Sequence, residues 1–240
     1  MRANSETIAA PSDAEKRASE PMADPKSRAG GRYASSEVLA FTDGLHACHD
    51  PALQQAFSAA DGERLPSIMV GPSEGKLLEL LLRLAGALKV VEIGTLAGYS
   101  AIRMARALPD DGHLWSLEHA ASHAEVARQN LAAAGLSDRV SVVVGAALET
   151  LPGLEHKGPF DAVFIDADKG NYDVYGRWAA AHLRPGGLLI GDNAYYFGKL
   201  MDPEDPAAAA MRRFHQETAV NFRSTCIPTP DGLLLGIRTP

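Results

Sequence analysis

Residues 160–172 read FDAVFIDADKGNY and residues 186–193 read GGLLIGDN, so two apolar runs each end in acidic or amide side chains. Apolar runs of this length, bounded by turn residues, are typical of buried parallel strands. Ligands of open α/β sheets bind at the carboxyl ends of such strands. We therefore expect Asp166, Asp192 and Asn193 to meet in one crevice. Their oxygen atoms would suit a hard divalent cation, Mg²⁺, Mn²⁺ or Ca²⁺.

A lysine accompanies this set. Lys169 lies three residues beyond Asp166, at the predicted turn from strand to helix. It could reach a hydroxyl bound in the crevice and remove its proton, if a nearby cation lowers the pKa of the lysine. The alternative is that Asp166 and Asp192 only cap the helices that follow them and that Lys169 is a solvated turn residue. The occurrence of both acids together with Asn193 and Lys169 favours the metal site.

Strands and helices alternate through the middle of the chain. The strands are predicted at 89–95, 113–118, 140–145, 161–166 and 188–192, and the helices between them at 100–108, 122–134, 147–151 and 171–183. This alternation predicts a parallel sheet with helices on both faces, an α/β fold.

Further elements flank this core. Helical spacing of apolar residues predicts helices from Ser36, from Pro51 and after Ser73, the last N-capped and ending near Gly86. After another helix at 207–219, the runs 223–228 and 232–237 are joined by a short Thr-Pro-Asp-Gly turn and are expected to pair antiparallel. The prediction is a mostly parallel seven-stranded sheet with an antiparallel last strand.

Length and composition limit the class of protein. The chain has 240 residues and a net charge of −7, with no run rich in lysine or arginine, which argues against nucleic acid as a partner. No apolar segment approaches the roughly 20 residues that span a bilayer, and no secretion signal is visible. Two cysteines, Cys48 and Cys226, are too few for a disulfide framework. We expect a soluble cytoplasmic protein without membrane partners, with a disordered tail at 1–34 and one domain at 35–240.

The first predicted strand leads into a glycine-containing turn. Residues 92–100 read EIGTLAGYS, and Glu118 ends the second strand. A carboxylate in that place commonly accepts hydrogen bonds from both ribose hydroxyls of an adenosine. An NAD site would have a glycine where Glu92 stands, and an acid there would repel a pyrophosphate. The cationic S-adenosylmethionine suits Glu92 better, and an NAD(P)-dependent oxidoreductase is kept as the alternative.

The motifs together resemble a known family. VVEIGTLAGYSAIRMARAL, the acid at Glu118, FDAVFIDADKGNY and LLIGDN are similar to segments of the metal-dependent O-methyltransferases, which include catechol and caffeoyl-CoA O-methyltransferases and bacterial relatives. The likeness runs from about Ser36 to the C-terminal GLLLGI. It implies a Rossmann-like methyltransferase fold, S-adenosylmethionine and Mg²⁺ as cofactors, methyl transfer to a hydroxyl of a small catechol-like acceptor, and a homodimer.

The resemblance also assigns roles to individual residues. The metal ligands correspond to Asp166, Asp192 and Asn193, and the general base to Lys169. The cofactor contacts correspond to Val70, Glu92, Gly94, Thr95, Tyr99, Ser100, Glu118, Ala147 and Asp168.

One segment departs from the family pattern. Plant caffeoyl-CoA enzymes follow the Asp-Asn pair with a tryptophan and an asparagine that touch the acceptor. Here residues 194–198 read AYYFG. We expect an acceptor pocket with a different lining, and recognition of a CoA ester does not follow from the resemblance.

Overall fold

The computed structural model of the protein describes residues 34–61 and 65–240, without the side chains of Ala60 and Asp61. The predicted disorder of residues 1–33 lies outside the described residues. The pattern of contacts between residues divides the chain into two compact units, with the boundary between Thr42 and Asp43. Residues 34–42, the described part of the first unit, contain the beginning of the first helix. All other elements belong to the second unit.

The helices and strands alternate as predicted. The helices are α1 Ser36–His46, α2 Pro51–Phe57, α3 Pro72–Leu84, α4 Tyr99–Ala107, α5 Ala121–Ala133, α6 Ala147–Thr150, α7 Tyr172–His182 and α8 Pro206–Asn221. The strands are β1 Lys89–Ile93, β2 His113–Glu118, β3 Val140–Val144, β4 Phe160–Ile165, β5 Leu183–Gly191, β6 Phe222–Ile227 and β7 Leu233–Arg238.

The strands form one seven-stranded sheet in the order β3-β2-β1-β4-β5-β7-β6. Strands β1 to β5 pair in parallel, and β7 runs antiparallel between β5 and β6. The α/β fold and the antiparallel last strand are therefore confirmed. The strand order reverses between β1 and β4, and this is the place where open α/β sheets bind ligands, outside the carboxyl ends of the strands.

The apolar strands are covered on both faces. Successive side chains of a strand point to opposite faces, so Val90 packs in one apolar cluster and its neighbour Val91 in the other. Phe164 and Val163 on β4 divide in the same way. Continuous apolar runs, rather than alternating ones, are what a sheet buried on both faces requires.

Two local predictions were wrong. Helix α3 is capped by Gly71 rather than by Ser73, because the Glu74 side chain accepts a hydrogen bond from the Gly71 N–H at 2.9 Å. The Ser73 hydroxyl donates instead to Asp43. Strand β5 begins at Leu183 rather than Leu188, with a register shift against β4 between Phe160 and Ala162. Within the described residues, no helix is both long and apolar enough to cross a membrane.

Candidate active site

A cavity of about 930 Å³ opens at the carboxyl ends of β1, β2 and β4. Most of the residues singled out from the sequence contribute to its wall. These are Val70, Gly94, Thr95, Tyr99, Ser100, Glu118, Ala147, Asp166, Asp168, Lys169 and Asn193. The other two, Glu92 and Asp192, lie behind that wall and are 0% and 6% exposed.

Gly94 sets the distance between the two central strands. Its φ of +102° lies in a region that favours glycine, and a Cβ atom there would stand 1.9 Å from the Asp166 carbonyl oxygen. The Asp166 N–H donates to the Ile93 carbonyl oxygen at 2.8 Å, which continues the ladder between β1 and β4 by one residue. The close approach of Gly94 thus places Asp166 beside the turn after β1.

Glu118 holds the turn after β1. Its Oε2 accepts from the N–H groups of Thr95 at 3.2 Å and Leu96 at 2.8 Å, and its Oε1 accepts from the Ala120 N–H at 2.9 Å. Leu96 has a left-handed backbone with φ +49°, which a non-glycine residue adopts only where its surroundings hold it. A carboxylate has about four acceptor positions, so Glu118 could also accept from a ligand hydroxyl.

Glu92 forms a buried polar chain with three hydroxyl groups. The hydroxyls of Ser100 and Ser116 donate to its two oxygens, each at 2.5 Å, and Thr95 Oγ1 lies 2.5 Å from Ser116 Oγ. Burial raises the pKa of Glu92 from 4.5 to about 8, although the two serine hydroxyls favour the ionised form. The role of Ser116 was missed because a serine in the middle of a strand carries no motif.

We expect Glu92→Gln to be more stable than the wild type at pH 8.5 and nearly equal to it at pH 5. The folded protein holds the Glu92 pKa above its unfolded value, so this group stabilises the fold below about pH 4.5 and loses that contribution as the pH rises through 8. Glutamine keeps the shape without the titration. The measurement is the melting temperature of both proteins across this pH range, where each kcal/mol corresponds to about 2–4 °C. A difference that did not change with pH would contradict the burial of an ionisable Glu92.

Two carboxyl groups lie together at the ends of β4 and β5. Burial, and next the charge of Asp166, raise the pKa of Asp192 from 3.8 to about 7. The Asn193 N–H donates to Asp192 Oδ1 at 2.7 Å, and Asn193 has a left-handed backbone with φ +51°. The described residues contain no group of three or more His, Cys, Asp or Glu side chains that could hold a metal ion, and the third predicted ligand, Asn193, is an amide. Two mutually repelling carboxylates, together with the side-chain amide of the adjacent residue Asn193, supply the kind of oxygen donors that fit a hard divalent cation.

Lys169 is anchored beside this pair. Its Nζ lies 3.2 Å from Asp166 Oδ1 and donates to the Tyr172 hydroxyl at 2.6 Å. That hydroxyl lies 3.2 Å from the carbonyl oxygen of Ile165 and 3.1 Å from that of Asp192, and Tyr172 is fully buried. Tyr172 was present in the motif that the sequence singled out, but its spacing alone does not reveal that it links Lys169 to both strand ends.

Some cavity residues were missed, among them Asn171 and Tyr175, which contact the predicted residue Asp168. Asp168 accepts from the hydroxyl of Tyr175 at 2.6 Å and from the side-chain amide of Asn171 at 2.5 Å, and all three line the cavity. His119, His123, Leu148 and Ile68 contribute to the same wall, and so does Phe197, which belongs to the 194–198 segment expected to line the acceptor pocket. His119 directly follows Glu118, and this adjacency was a signal in the sequence.

His46 and His49 have a metal-like His-x-x-His spacing in the sequence, but this spacing would put the two side chains on different faces of a helix, which favours a surface or packing role. The Nε2 atom of His49 lies 2.8 Å from the Tyr99 hydroxyl, and Arg103 donates to the same hydroxyl at 3.3 Å. The His49 ring also packs against Tyr99 at 5.3 Å. The contact supports the packing interpretation, and it fixes one wall of the cavity, since Tyr99 lines it.

The fold and the cavity define a methyltransferase with a Rossmann-like sheet. A family model described as O-methyltransferase matches residues 46–239. The chain therefore belongs to the O-methyltransferase family, and the enzyme class expected from the sequence is confirmed.

Three relatives illustrate the similarity. The chain is 46% identical to a catechol O-methyltransferase of Mycobacterium tuberculosis, over 74% of this chain and 80% of the relative. It is 44% identical to a catechol O-methyltransferase of Niastella koreensis, over 72% and 80%. The crystal structure of the O-methyltransferase TomG from Streptomyces achromogenes, involved in tomaymycin synthesis and in complex with SAM, is 39% identical. It aligns with 85% of this chain and 96% of its own, at a TM-score of 0.81. None of these supports the alternative of an NAD(P)-dependent oxidoreductase.

Proposed function

We propose that this protein transfers a methyl group from S-adenosylmethionine to a hydroxyl of a catechol-like acceptor, with a divalent cation held by Asp166, Asp192 and Asn193. The observation that carries the proposal is that one cavity is bordered by Glu118 at one strand end and by Asp166, Lys169 and Asn193 at the neighbouring ones, with Asp192 buried next to Asn193. The names of the two catechol O-methyltransferases, and the SAM complex of the Streptomyces relative, support the acceptor and the methyl donor.

The chemistry requires an oxygen nucleophile. A phenol has a pKa of about 10 and is mostly neutral at pH 7. A bound divalent cation, when present, supplies Lewis-acid assistance, which favours the ionised hydroxyl. In its neutral amine form Lys169 takes the proton from the reacting hydroxyl, and Asp166 and Tyr172 hold its Nζ in place. The methyl group then passes from sulfur to that oxygen, leaving S-adenosylhomocysteine.

The experiment that tests the proposal is a screen of small catechols with S-adenosylmethionine and Mg²⁺, in which release of S-adenosylhomocysteine is measured. We expect turnover of one or more catechols. A parallel calorimetric comparison of S-adenosylhomocysteine with NAD⁺ separates the two cofactor classes. Binding of NAD⁺ without binding of S-adenosylhomocysteine would overturn the proposal.

We expect Glu118→Gln to weaken binding of S-adenosylhomocysteine at least about tenfold, because charge-assisted bonds to the two ribose hydroxyls are lost. The same change leaves fewer acceptors for the N–H groups of Thr95 and Leu96. Calorimetric affinity and melting temperature should therefore both fall. Glu149→Gln, an equal change of charge at an exposed side chain on α6, is the control and should alter neither. Unchanged affinity in a folded Glu118→Gln protein would remove Glu118 from the cofactor site.

We further propose that the protein acts as a homodimer in the cytoplasm, with no nucleic acid as partner. The net charge of −7 disfavours binding to a polyanion, and both cysteines, Cys48 and Cys226, are free. Residues 35–240 are proposed as the catalytic domain. Light scattering measures the molecular mass of the full chain and of the chain without residues 1–34. The first value tests the proposed dimer, and the second tests whether residues 1–34 are needed for it.

A further inference from the structure

The segment that follows β5 has an unusual backbone. In residues 193–198, here called the acceptor loop, the non-glycine residues Asn193, Tyr196 and Phe197 have φ values of +51°, +51° and +52°. L-residues rarely adopt this left-handed region, and it persists only where neighbouring groups hold the backbone there. Some feature of the structure must therefore fix the acceptor loop.

That feature is the turn between β6 and β7. The carboxylate of Asp231 accepts the Phe197 N–H with both oxygens, at 2.9 and 3.1 Å. The Asp231 carbonyl oxygen accepts from the Tyr195 N–H, and the Gly232 carbonyl oxygen from the Ala194 N–H, each at 2.9 Å. A Cβ atom on Gly232 would lie 2.8 Å from the Tyr195 ring, so the turn and the loop are in close contact. Within this contact, the side chain of Asp231 is the group that hydrogen-bonds directly to the backbone of the strained residue Phe197.

The result of this arrangement is an aromatic ring at the cavity. Phe197 is 63% exposed and lines the cavity together with Asn193, a proposed metal ligand. Because the Phe197 ring is mostly exposed, its packing against the rest of the protein contributes little free energy of stabilisation. The ring can gain from packing on a flat aromatic ligand, for which ring-to-ring contacts are favourable. The same arrangement occurs elsewhere on the cavity wall, where the carboxylate of Glu118 accepts from the N–H of the left-handed Leu96.

We infer that Asp231 is a positioning residue that holds Phe197 over the acceptor, and that the Phe197 ring favours flat aromatic acceptors. This inference rests on the proposed function, because it takes the acceptor to be an aromatic diol. The proton transfer is assigned to Lys169 and to neither of these residues, so we expect their effect on acceptor binding rather than on the transfer step.

The main test is a double-mutant cycle with a catechol that the wild type methylates. Phe197→Gly suits the left-handed backbone, so it should fold with no loss of melting temperature. It should raise the KM for the catechol about tenfold, with little change in kcat or in affinity for S-adenosylhomocysteine. Asp231→Ala should raise the KM by a similar factor, and Asp231→Asn, which keeps one acceptor oxygen, by less. The double variant Phe197→Gly/Asp231→Ala should show no further rise, because the ring that Asp231 positions is already absent.

Two controls match these changes. Asp202→Ala removes another carboxylate that accepts a backbone N–H, that of Glu204, away from the cavity wall. Met201→Ala removes an exposed apolar side chain outside that wall. Neither should change the KM. An unchanged KM in Phe197→Gly, or effects of the two single changes that multiply in the double variant, would overturn the inference.

A second measurement does not depend on the acceptor. In Phe197→Trp, the added tryptophan reports on the acceptor loop by fluorescence anisotropy, with the wild-type signal of Trp115 and Trp178 subtracted. Introducing Asp231→Ala into this variant should lower the anisotropy of the added tryptophan. Unchanged anisotropy refutes the positioning role of Asp231 even if catechols are methylated. A lowered anisotropy in a protein that methylates no catechol would instead show that the proposed function fails.

Discussion

Asp192→Ala is expected to lower methyl transfer to a catechol by about a thousandfold, since Lewis-acid assistance amounts to several kcal/mol of transition-state stabilisation. Asp166→Ala and removal of the cation by a chelator should have the same effect. Affinity for S-adenosylhomocysteine should stay within a few-fold of the wild type, because the ribose contact expected of Glu118 involves the side chain of neither Asp166 nor Asp192. Turnover of chelated wild type should return on addition of Mg²⁺ or Mn²⁺.

Calorimetric titration with Mn²⁺ gives a readout apart from activity. The wild type should bind the ion, and Asp192→Ala and Asp166→Ala should bind it much more weakly. Asp110→Ala, a change at an exposed acid in the turn before β2, should bind Mn²⁺ like the wild type. Full activity in excess chelator would leave a metal-independent methyltransferase on the same fold.

Vicinal diols should be methylated at least about a hundredfold faster, in kcat/KM, than matched monophenols, because a held and oriented nucleophile gains a large positioning advantage. A cation bound by three protein oxygens retains open coordination positions, which two adjacent hydroxyls can fill together and a single phenol cannot. The measurement compares a catechol with its monohydroxy analogue. Equal values would mean that the cation is structural.

Lys169→Ala should reduce the turnover of the diol, and the loss should be largest near neutral pH. There the acceptor hydroxyl, with an unperturbed pKa of about 10, still carries the proton that the lysine would remove. At higher pH the acceptor ionises by itself and the variant should approach the wild type. Lys199→Ala, a change at an exposed lysine just beyond the acceptor loop, serves as the control. A loss that is constant with pH would assign Lys169 to orientation rather than to proton removal.

The order of the helices and strands could be predicted from the sequence. A sheet covered on both faces requires continuous apolar runs, and β4 and β5 are such runs. Because the carboxyl ends of parallel strands share one edge, the runs also placed Asp166 near Asp192. The turn between β6 and β7 likewise predicted an antiparallel pair. These signals are local, since each depends on residues that are neighbours along the chain. The assignment of site residues stays a prediction, although the structure brings most of them to one cavity.

Only the tertiary structure decided which distant residues support the site. Asp231 reaches Phe197 across 34 positions of sequence, because β7 inserts beside β5 and carries its turn to the acceptor loop. Tyr172 links Lys169 to the Asp192 carbonyl oxygen through the register of β4 and β5. A hydrogen bond depends on atoms within about 3 Å in space. Sequence spacing determines which atoms come within this distance only inside one helix or turn. Between different elements, the strand order and register determine which atoms meet.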